Sequence, residues 1–322
     1  MGDKRRTPAN RVAGLAGLMA LVSVVVSGCS TSEVLRFGWP EGVTPQADRM
    51  RDFWTWSVIA SLVVGVLVWA LILWPVIAHR KRGDKLPKQF QYNHFLEWIY
   101  TGIPAVIVVV LFYFTMTTQN YVLAEEEPED VDVTVNVLAF QWNWQFEYES
   151  YKDTTGAVVA PRTSEGPLVR TTGTSEVIPL LVLPTESTIH YNLWGRDVIH
   201  SFFVPEFHFK RDVFPYPEKN NQDSTFQNSI DREGSFVGRC AELCGTYHSA
   251  MNFEVRALNP ERFDRYMVLR RSVNEDTGEP YTAGEALAVM GQEDPSCGEL
   301  CSPTANTTSP FNTDRTARTS SN

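Results

Sequence analysis

The chain has 322 residues, enough for one or two domains with a proper core. Its formal net charge of −10 argues against a nucleic-acid partner and suits a basic one. The apolar share of 43% is ordinary, but three apolar blocks crowd into the first 120 residues, so the chain does not read as soluble throughout.

The first block, residues 12–26, follows Lys4, Arg5, Arg6 and Arg11 and runs into "VSGCS". A basic start, a short apolar run and a small-residue exit describe a secretory signal. The small residues before Cys29 resemble a bacterial lipobox. The expectation is that residues 1–28 are a lipoprotein signal, cut before Cys29, with a lipid on its sulfur. An uncleaved anchor, or a cut elsewhere by the ordinary peptidase, is the alternative. Cleavage would remove four basic residues and Asp3, taking the charge from −10 to −13. Residues 29–52 would then be an exterior N-terminal segment.

The second block, residues 53–78, has no charge over 26 positions. As a helix it reaches ~39 Å, more than the ~30 Å hydrocarbon core. The third block, residues 98–118, is also uncharged. Trp54, Trp56, Trp74, Trp98 and Tyr100 sit near the ends, where aromatic rings favour the interface. The segment "HRKRGDKLPKQFQYNH" between the blocks holds Arg80, Lys81, Arg82, Lys85 and Lys88 against one acid, Asp84, and "AEEEPED" follows the second span. The basic loop therefore belongs in the cytoplasm and both ends lie outside. Residues 53–118 thus read as a transmembrane helical hairpin presenting a C-terminal domain on the exterior face.

From residue 131 the period changes. "VDVTVNVLAFQWNWQFEYE" alternates apolar and polar residues as a half-buried strand does. Further strands are predicted over residues 177–183, 188–193, 198–204, 235–239 and 252–257, punctuated by Gly, Pro, Asn and Asp. Many short strands without intervening helices point to an antiparallel sandwich or barrel over residues 119–273. Residues 150–176, rich in Thr, Ser and Gly, read as a long inserted loop. Asn259-Pro260 reads as the cap and first turn of a helix with Phe263, Tyr266 and Met267 on one face. Residues 274–322 form a C-terminal extension whose last twenty residues have a disordered composition.

Two stretches repeat one cysteine spacing: "GRCAELCGTYHSAM" and "SCGELCS". In the first, Cys240 and Cys244 are followed by His248 and Met251. Outside the membrane the bland fate of two cysteines is a disulfide, and spacing alone does not exclude it. Two thiolates, an imidazole and a thioether in one loop instead make a soft donor set. The thioether, a poor zinc ligand, turns the reading toward copper. One more nitrogen is needed. His79 and His94 lie in the cytoplasmic loop, and His190 and His208 read as surface residues. His200, at the head of "HSFFVP", is a candidate that its position alone does not decide. Cys297 and Cys301 have no histidine or methionine after them, and a disulfide or free thiols is the expectation there.

With these residues in view, "GRCAELCGTYHSAM" resembles the dinuclear copper (CuA) loop of cytochrome c oxidase subunit II. "DVIHSFFVP" is similar to the upstream histidine segment of that family, "FQWNWQFEYE" to its aromatic strand, and "FLEWIYTGIP" to the opening of its second span. The resemblance covers about residues 50–270. It implies an α+β membrane protein in which the two-helix hairpin precedes a cupredoxin-like Greek-key β-barrel. It implies two copper ions bridged by the sulfurs of Cys240 and Cys244, with His200 and His248 binding one each. Met251 sulfur and the Glu242 carbonyl would be weak outer ligands. With every position filled by protein, the site would relay electrons and bind no substrate.

The resemblance further implies that Trp142 marks where electrons enter, although the family's usual aromatic neighbour is replaced by Asn143. The Glu242 side chain would reach a magnesium ion at subunit I, Asp197 would be an acidic docking position, and Glu97 would help protons enter subunit I. The implied function is subunit II of a bacterial aa3-type cytochrome c oxidase, of actinobacterial type by its lipobox and long loop. It would work beside subunits I and III, passing electrons to haem a for oxygen reduction coupled to proton pumping. The donor would be cytochrome c or a membrane-tethered dihaem cytochrome cc of a bc1 complex. Of the rivals, a quinol oxidase subunit II lacks the copper ligands. A membrane-anchored copper chaperone has its histidine far downstream and a single span. A structural lipoprotein with both cysteine pairs oxidised is distinguished by thiol counting.

Overall fold

The computed structural model describes residues 36–81, 83, 88–161 and 168–309. Residues 1–28, expected to be a signal, and Cys29 lie outside the described residues, as do residues 310–322. Two helices, α1 (Pro45–Ala78) and α2 (His94–Val122), are long and apolar enough to cross a membrane. Their apolar windows are not buried within the chain, so those side chains are left for another apolar medium. Helix α1 starts eight residues before the uncharged run. Thr44 explains this: its hydroxyl accepts the Ala47 N–H at 3.0 Å, and Pro45 occupies the first helical position. By contacts, Arg51–Asn93 belongs to one compact unit, whereas Gly42–Met50 and the described residues from His94 onward form a second.

The second unit is built on two sheets. One has the order β3 (Val158–Val159), β2 (Asn143–Lys152), β1 (Val133–Phe140), β6 (Ile189–Gly195), β9 (Thr225–Asn228), with β4 (Arg170–Thr172) also on β2. The other has the order β5 (Leu180–Pro184), β11 (Asn252–Leu258), β10 (Gly234–Cys240), β7 (His200–Val204), β8 (Phe209–Val213). Alternate residues turn inward: Val133, Val135, Val137 and Ala139 on β1, Trp144, Phe146 and Tyr148 on β2, Phe253, Val255 and Ala257 on β11. This is the expected cupredoxin-like architecture. It departs from an all-antiparallel one in two places, since β1 pairs with β6 and β11 with β5 in parallel. The chain leaves each sheet and returns in the same direction, which a chain of hairpins cannot do.

The expected loop 150–176 is partly structured. Strand β2 continues to Lys152: a bulge at Glu149 shifts its register on β1, so that Tyr151 turns inward as Tyr148 does, and β3 and β4 pair with it. Strands β8 and β9 lie at sheet edges, where polar sequences such as "FKRDV" are common and alternation is weak. Helix α3 (Pro260–Arg270) begins as expected, with Asn259 accepting the Arg262 N–H at 2.9 Å and Phe263, Tyr266 and Met267 buried. The extension also holds an unforeseen helix, α4 (Ala283–Glu293). Its signal is the capping box Thr282/Glu285, with Ala286, Leu287 and Met290 on the buried face. A 3-10 turn, Pro295–Cys301, follows and contains the disulfide Cys297–Cys301. Residues 303–309 of the tail are described, and Thr304, Asn306 and Thr307 are hydrogen-bonded to β11 side chains.

Candidate metal centre

The centre is built from the end of one hairpin and the start of a neighbouring strand. Strands β10 and β11 pair antiparallel, and the loop between them carries Glu242, Cys244 and His248. Cys240 closes β10, Met251 directly precedes β11, and the Met251 carbonyl accepts the Cys240 N–H at 3.1 Å. Strand β7 pairs with β10 and brings His200 alongside, while the Ser201 carbonyl accepts the Ala241 N–H at 3.1 Å. The loop folds back at Gly245, whose φ of +117° suits glycine alone. A Cβ there would come within 3.2 Å of Gln141 Nε2 and Trp142 Nε1. Those two groups instead donate to the Cys244 carbonyl, at 2.7 and 3.1 Å.

Cys240 and Cys244 are buried, free and 3.7 Å apart at sulfur, well beyond the ~2.05 Å of a disulfide. Around them the donors fall into two groups. His200 Nδ1 lies 3.8 Å and the Glu242 carbonyl 3.3 Å from the Cys240 sulfur. His248 Nδ1 lies 3.5 Å and Met251 Sδ 3.8 Å from the Cys244 sulfur. Typical metal–nitrogen and metal–sulfur bonds add to about 4.4 Å, so one ion can reach the histidine and cysteine of either group. Six donors, one a thioether and one a carbonyl, are more than a tetrahedral zinc ion uses. They suit copper, which accepts thiolate, imidazole and thioether together. The set therefore fits copper.

Without metal, the sulfurs share one proton. The hydrogen bond from Cys244 draws the Cys240 thiol down to about 3, against the opposing effect of burial and with help from His200. Cys240 in turn pushes Cys244 far above the ordinary thiol range, and burial adds to this. His200 is fully buried, and its Nε2 lies 2.8 Å from Asp197 Oδ1. Burial alone would lower the imidazole, but its bonds to Cys240 and Asp197 outweigh that and raise it. Burial likewise acts to raise the Asp197 carboxyl, but the Gln141 N–H at 2.8 Å, His200 and the Val198 N–H at 2.7 Å hold it below the usual range. Asp197 thus fixes which nitrogen of His200 faces the sulfurs. Its position three residues before His200 carried that signal.

Trp142 is half-buried, with its ring edge-on to Tyr247 at 4.9 Å. The Asn143 side chain secures the start of β2, accepting the Trp144 N–H at 2.9 Å and donating to the Thr174 carbonyl at 2.9 Å. Trp144 is wholly buried behind the centre, packs on His200, Phe202 and Phe253, and donates to the Met251 carbonyl at 3.3 Å. The Glu242 carboxylate stands 3.9 Å from Lys210, which also holds Asp212 at 2.7 Å. No local pattern in the sequence had marked Lys210 as a neighbour of the centre. Glu97 lies in the first turn of α2, 3.1 Å from His94, and is not among the clustered donors. His190 and His208 are hydrogen-bonded elsewhere, to Asn192 and to the Ala47 carbonyl.

Two family profiles match the chain: "Cytochrome C oxidase subunit II, periplasmic domain" over residues 133–258 and "Cytochrome C oxidase subunit II, transmembrane domain" over residues 32–117. The chain is 47% identical to the "Probable cytochrome c oxidase subunit 2" of Nocardia farcinica, over 96% of this chain and 90% of that protein. It is 42% identical to the "Cytochrome c oxidase subunit 2" of Mycobacterium tuberculosis, over 95% of this chain and 90% of that protein. A crystal structure of the periplasmic domain of subunit II of cytochrome oxidase (CoxB) of Bradyrhizobium japonicum matches at 25% identity, over 41% of this chain and 88% of that one, with a TM-score of 0.29.

Proposed function

Because the chain belongs to the cytochrome c oxidase subunit II family, we propose that it is the electron-accepting subunit of an aa3-type oxidase. It takes electrons from a cytochrome c outside the membrane and delivers them to haem a of subunit I, where oxygen is reduced with proton pumping. The observation that carries this reading is the convergence of His200, Cys240, Cys244, His248 and Met251 around two unbonded sulfurs. Two copper ions held there, as a CuA centre, would supply a store for one electron.

The chain's own residues do the rest. Cys240 and Cys244 would hold the ions together with His200 and His248, and Met251 and the Glu242 carbonyl would be the weaker donors. Asp197 orients His200. Trp144 and its aromatic neighbours exclude water from behind. Trp142, hydrogen-bonded to the Cys244 carbonyl, links the outer surface to a bridging cysteine. The acidic balance of the chain favours a basic donor. That donor is a cytochrome c or a membrane-tethered dihaem cytochrome cc of a bc1 complex.

Subunits I and III are the membrane partners, with α1 and α2 as anchors and the metal domain on the exterior side. Glu242 is the chain's ligand for magnesium at the contact with subunit I, Glu97 helps protons enter, and Cys29 carries the lipid. The test is oxygen uptake driven by reduced cytochrome c in the complex purified from membranes. Cys244→Ser is expected to leave the subunits assembled and abolish uptake. Undiminished uptake in an assembled complex would refute the reading.

A further inference from the structure

The metal loop is the tip of a hairpin, so its shape depends on how β10 and β11 are held together. Their register runs from Gly234↔Ala257 to Arg239↔Asn252. Cys240 ends one strand and Met251 precedes the other, so any splay or twist of the pair moves donors on both sides of the centre. The inner face is fixed by the core, through Phe236, Phe253 and Val255.

The outer face is held differently. Glu254 and Arg256, both outward on β11, are ion-paired and have no exposed side-chain surface. Removing two charges from water is costly unless their donors and acceptors are used. Here the chain of the C-terminal extension uses them. Arg256 Nη1 donates to the carbonyls of Leu300 at 2.7 Å and Ser302 at 3.1 Å, and Nη2 to that of Thr304 at 3.2 Å. Glu254 Oε2 accepts the N–H groups of Asn306 at 2.6 Å and Thr307 at 2.8 Å, and the Thr307 hydroxyl at 2.8 Å. The Asn306 side chain crosses to the other strand, donating to Ser235 Oγ on β10 at 3.3 Å and to the Glu299 carbonyl at 2.7 Å. The Cys297–Cys301 disulfide closes the turn that presents these first carbonyls, and both cysteines are packed in the core.

We infer that Glu254 and Arg256 are positioning residues for the metal loop, acting through residues 295–307 as a strap across the outer face of the β10–β11 hairpin. The strap ties both strands a few residues from Cys240 and Met251, and the disulfide keeps it in shape. The matched family profile ends at residue 258, so the strap lies beyond the part of the chain that it covers. The inference rests on reading residues 240–251 as the metal loop, but its first readout needs no metal.

The experiment uses the full chain in detergent. Glu254→Gln/Arg256→Met removes both charges together, and Cys297→Ser/Cys301→Ser removes only the disulfide. In metal-free protein, well below the unfolding midpoint, alkylation of Cys240 and Cys244 is timed by peptide mass spectrometry. Local opening governs that rate. The loss of buried charge-assisted bonds predicts acceleration of about tenfold or more for the charge variant, and a smaller but measurable acceleration for the disulfide variant. In copper-loaded samples, the electron-spin resonance hyperfine lines are expected to broaden in both. A lowered midpoint with unchanged alkylation rates would mean that the strap only stabilises the fold, and would overturn the inference. Should the charge variant fail to fold, the disulfide variant decides, and unchanged alkylation there overturns it. Should wild-type protein bind no copper, the alkylation rates still judge the strap separately from the proposed function.

Discussion

Replacing Asp197 by asparagine asks what holds His200 toward the sulfurs. Asp197 accepts three N–H groups, from Gln141, Val198 and His200, at 2.8, 2.7 and 2.8 Å. Asparagine has one carbonyl oxygen and one NH2 group. Whichever way it turns, its amide hydrogens face at least one of those donors, and the bond to His200 loses its charge assistance. A hydrogen bond to a charged group contributes about 1.5–3 kcal/mol, and the partial exposure of Asp197 argues for the lower end. About 1.5–2 kcal/mol corresponds to a roughly 10- to 30-fold loss of copper affinity, inside the range expected for a residue that orients a ligand. Competition against a chromophoric chelator at pH 7 measures it. The carboxyl is held below its ordinary range, so its contribution is full above the unfolded value near ~3.9 and fades as pH falls through the folded one. Wild type and variant should therefore differ at pH 7 and converge in strong acid. Equal affinities at pH 7, with only a raised KM for cytochrome c, would refute the orienting role and leave Asp197 a docking acid.

Three further outcomes are expected. In metal-free protein the folded Cys240 binds fewer protons than an unfolded thiol between about 3 and the unfolded value near ~8.5, and Cys244 binds more above it. The contribution of the pair to stability thus rises with pH to about 8.5 and falls beyond. Urea unfolding from pH 5 to 10 should show this peak in wild type relative to Cys240→Ser/Cys244→Ser, and a flat difference would contradict it. Gly238→Ala would place a Cβ 2.1 Å from Phe253, whose ring is fully enclosed, so a loss of about 1–3 kcal/mol is expected in denaturant titration. Trp142→Phe removes one donor from the Cys244 carbonyl but leaves Gln141 in place, so stability should fall by only about 1 kcal/mol. Copper binding should persist in that variant, while rapid mixing with reduced cytochrome c shows slower electron uptake.

The parts legible in the sequence were those with strong local chemistry. Uncharged runs gave both helices, Asn259-Pro260 gave the start of α3, and the loop from Cys240 to Met251 with distant His200 gave the donor set. Alternation over Val133, Val135 and Val137 gave β1, and it failed for β8 and β9, short edge strands whose sequences "FKRDV" and "TFQN" hold too few apolar residues to mark a buried face. The parallel pairings were hidden because no local signal records which distant strand a segment will meet. Helix α4 was written in Thr282 and Glu285 but lay in a stretch read as an extension. The burial of Glu254 and Arg256 could not be foreseen, since charged residues at alternating strand positions ordinarily face water; only the returning chain at residues 299–307 covers them. Asp197 was expected as a docking acid; its bond to His200 follows from their spacing of three residues at the start of β7.

The proposed electron relay would require two copper ions that share one electron, held by Cys240 and Cys244. Metal analysis and electron-spin resonance of the copper-loaded full chain test this directly. The prediction is two coppers per chain and a seven-line hyperfine pattern, the signature of one unpaired electron spread equally over both nuclei. A four-line single-copper spectrum, a preference for one zinc ion, or recovery of Cys240 and Cys244 as a disulfide would contradict it.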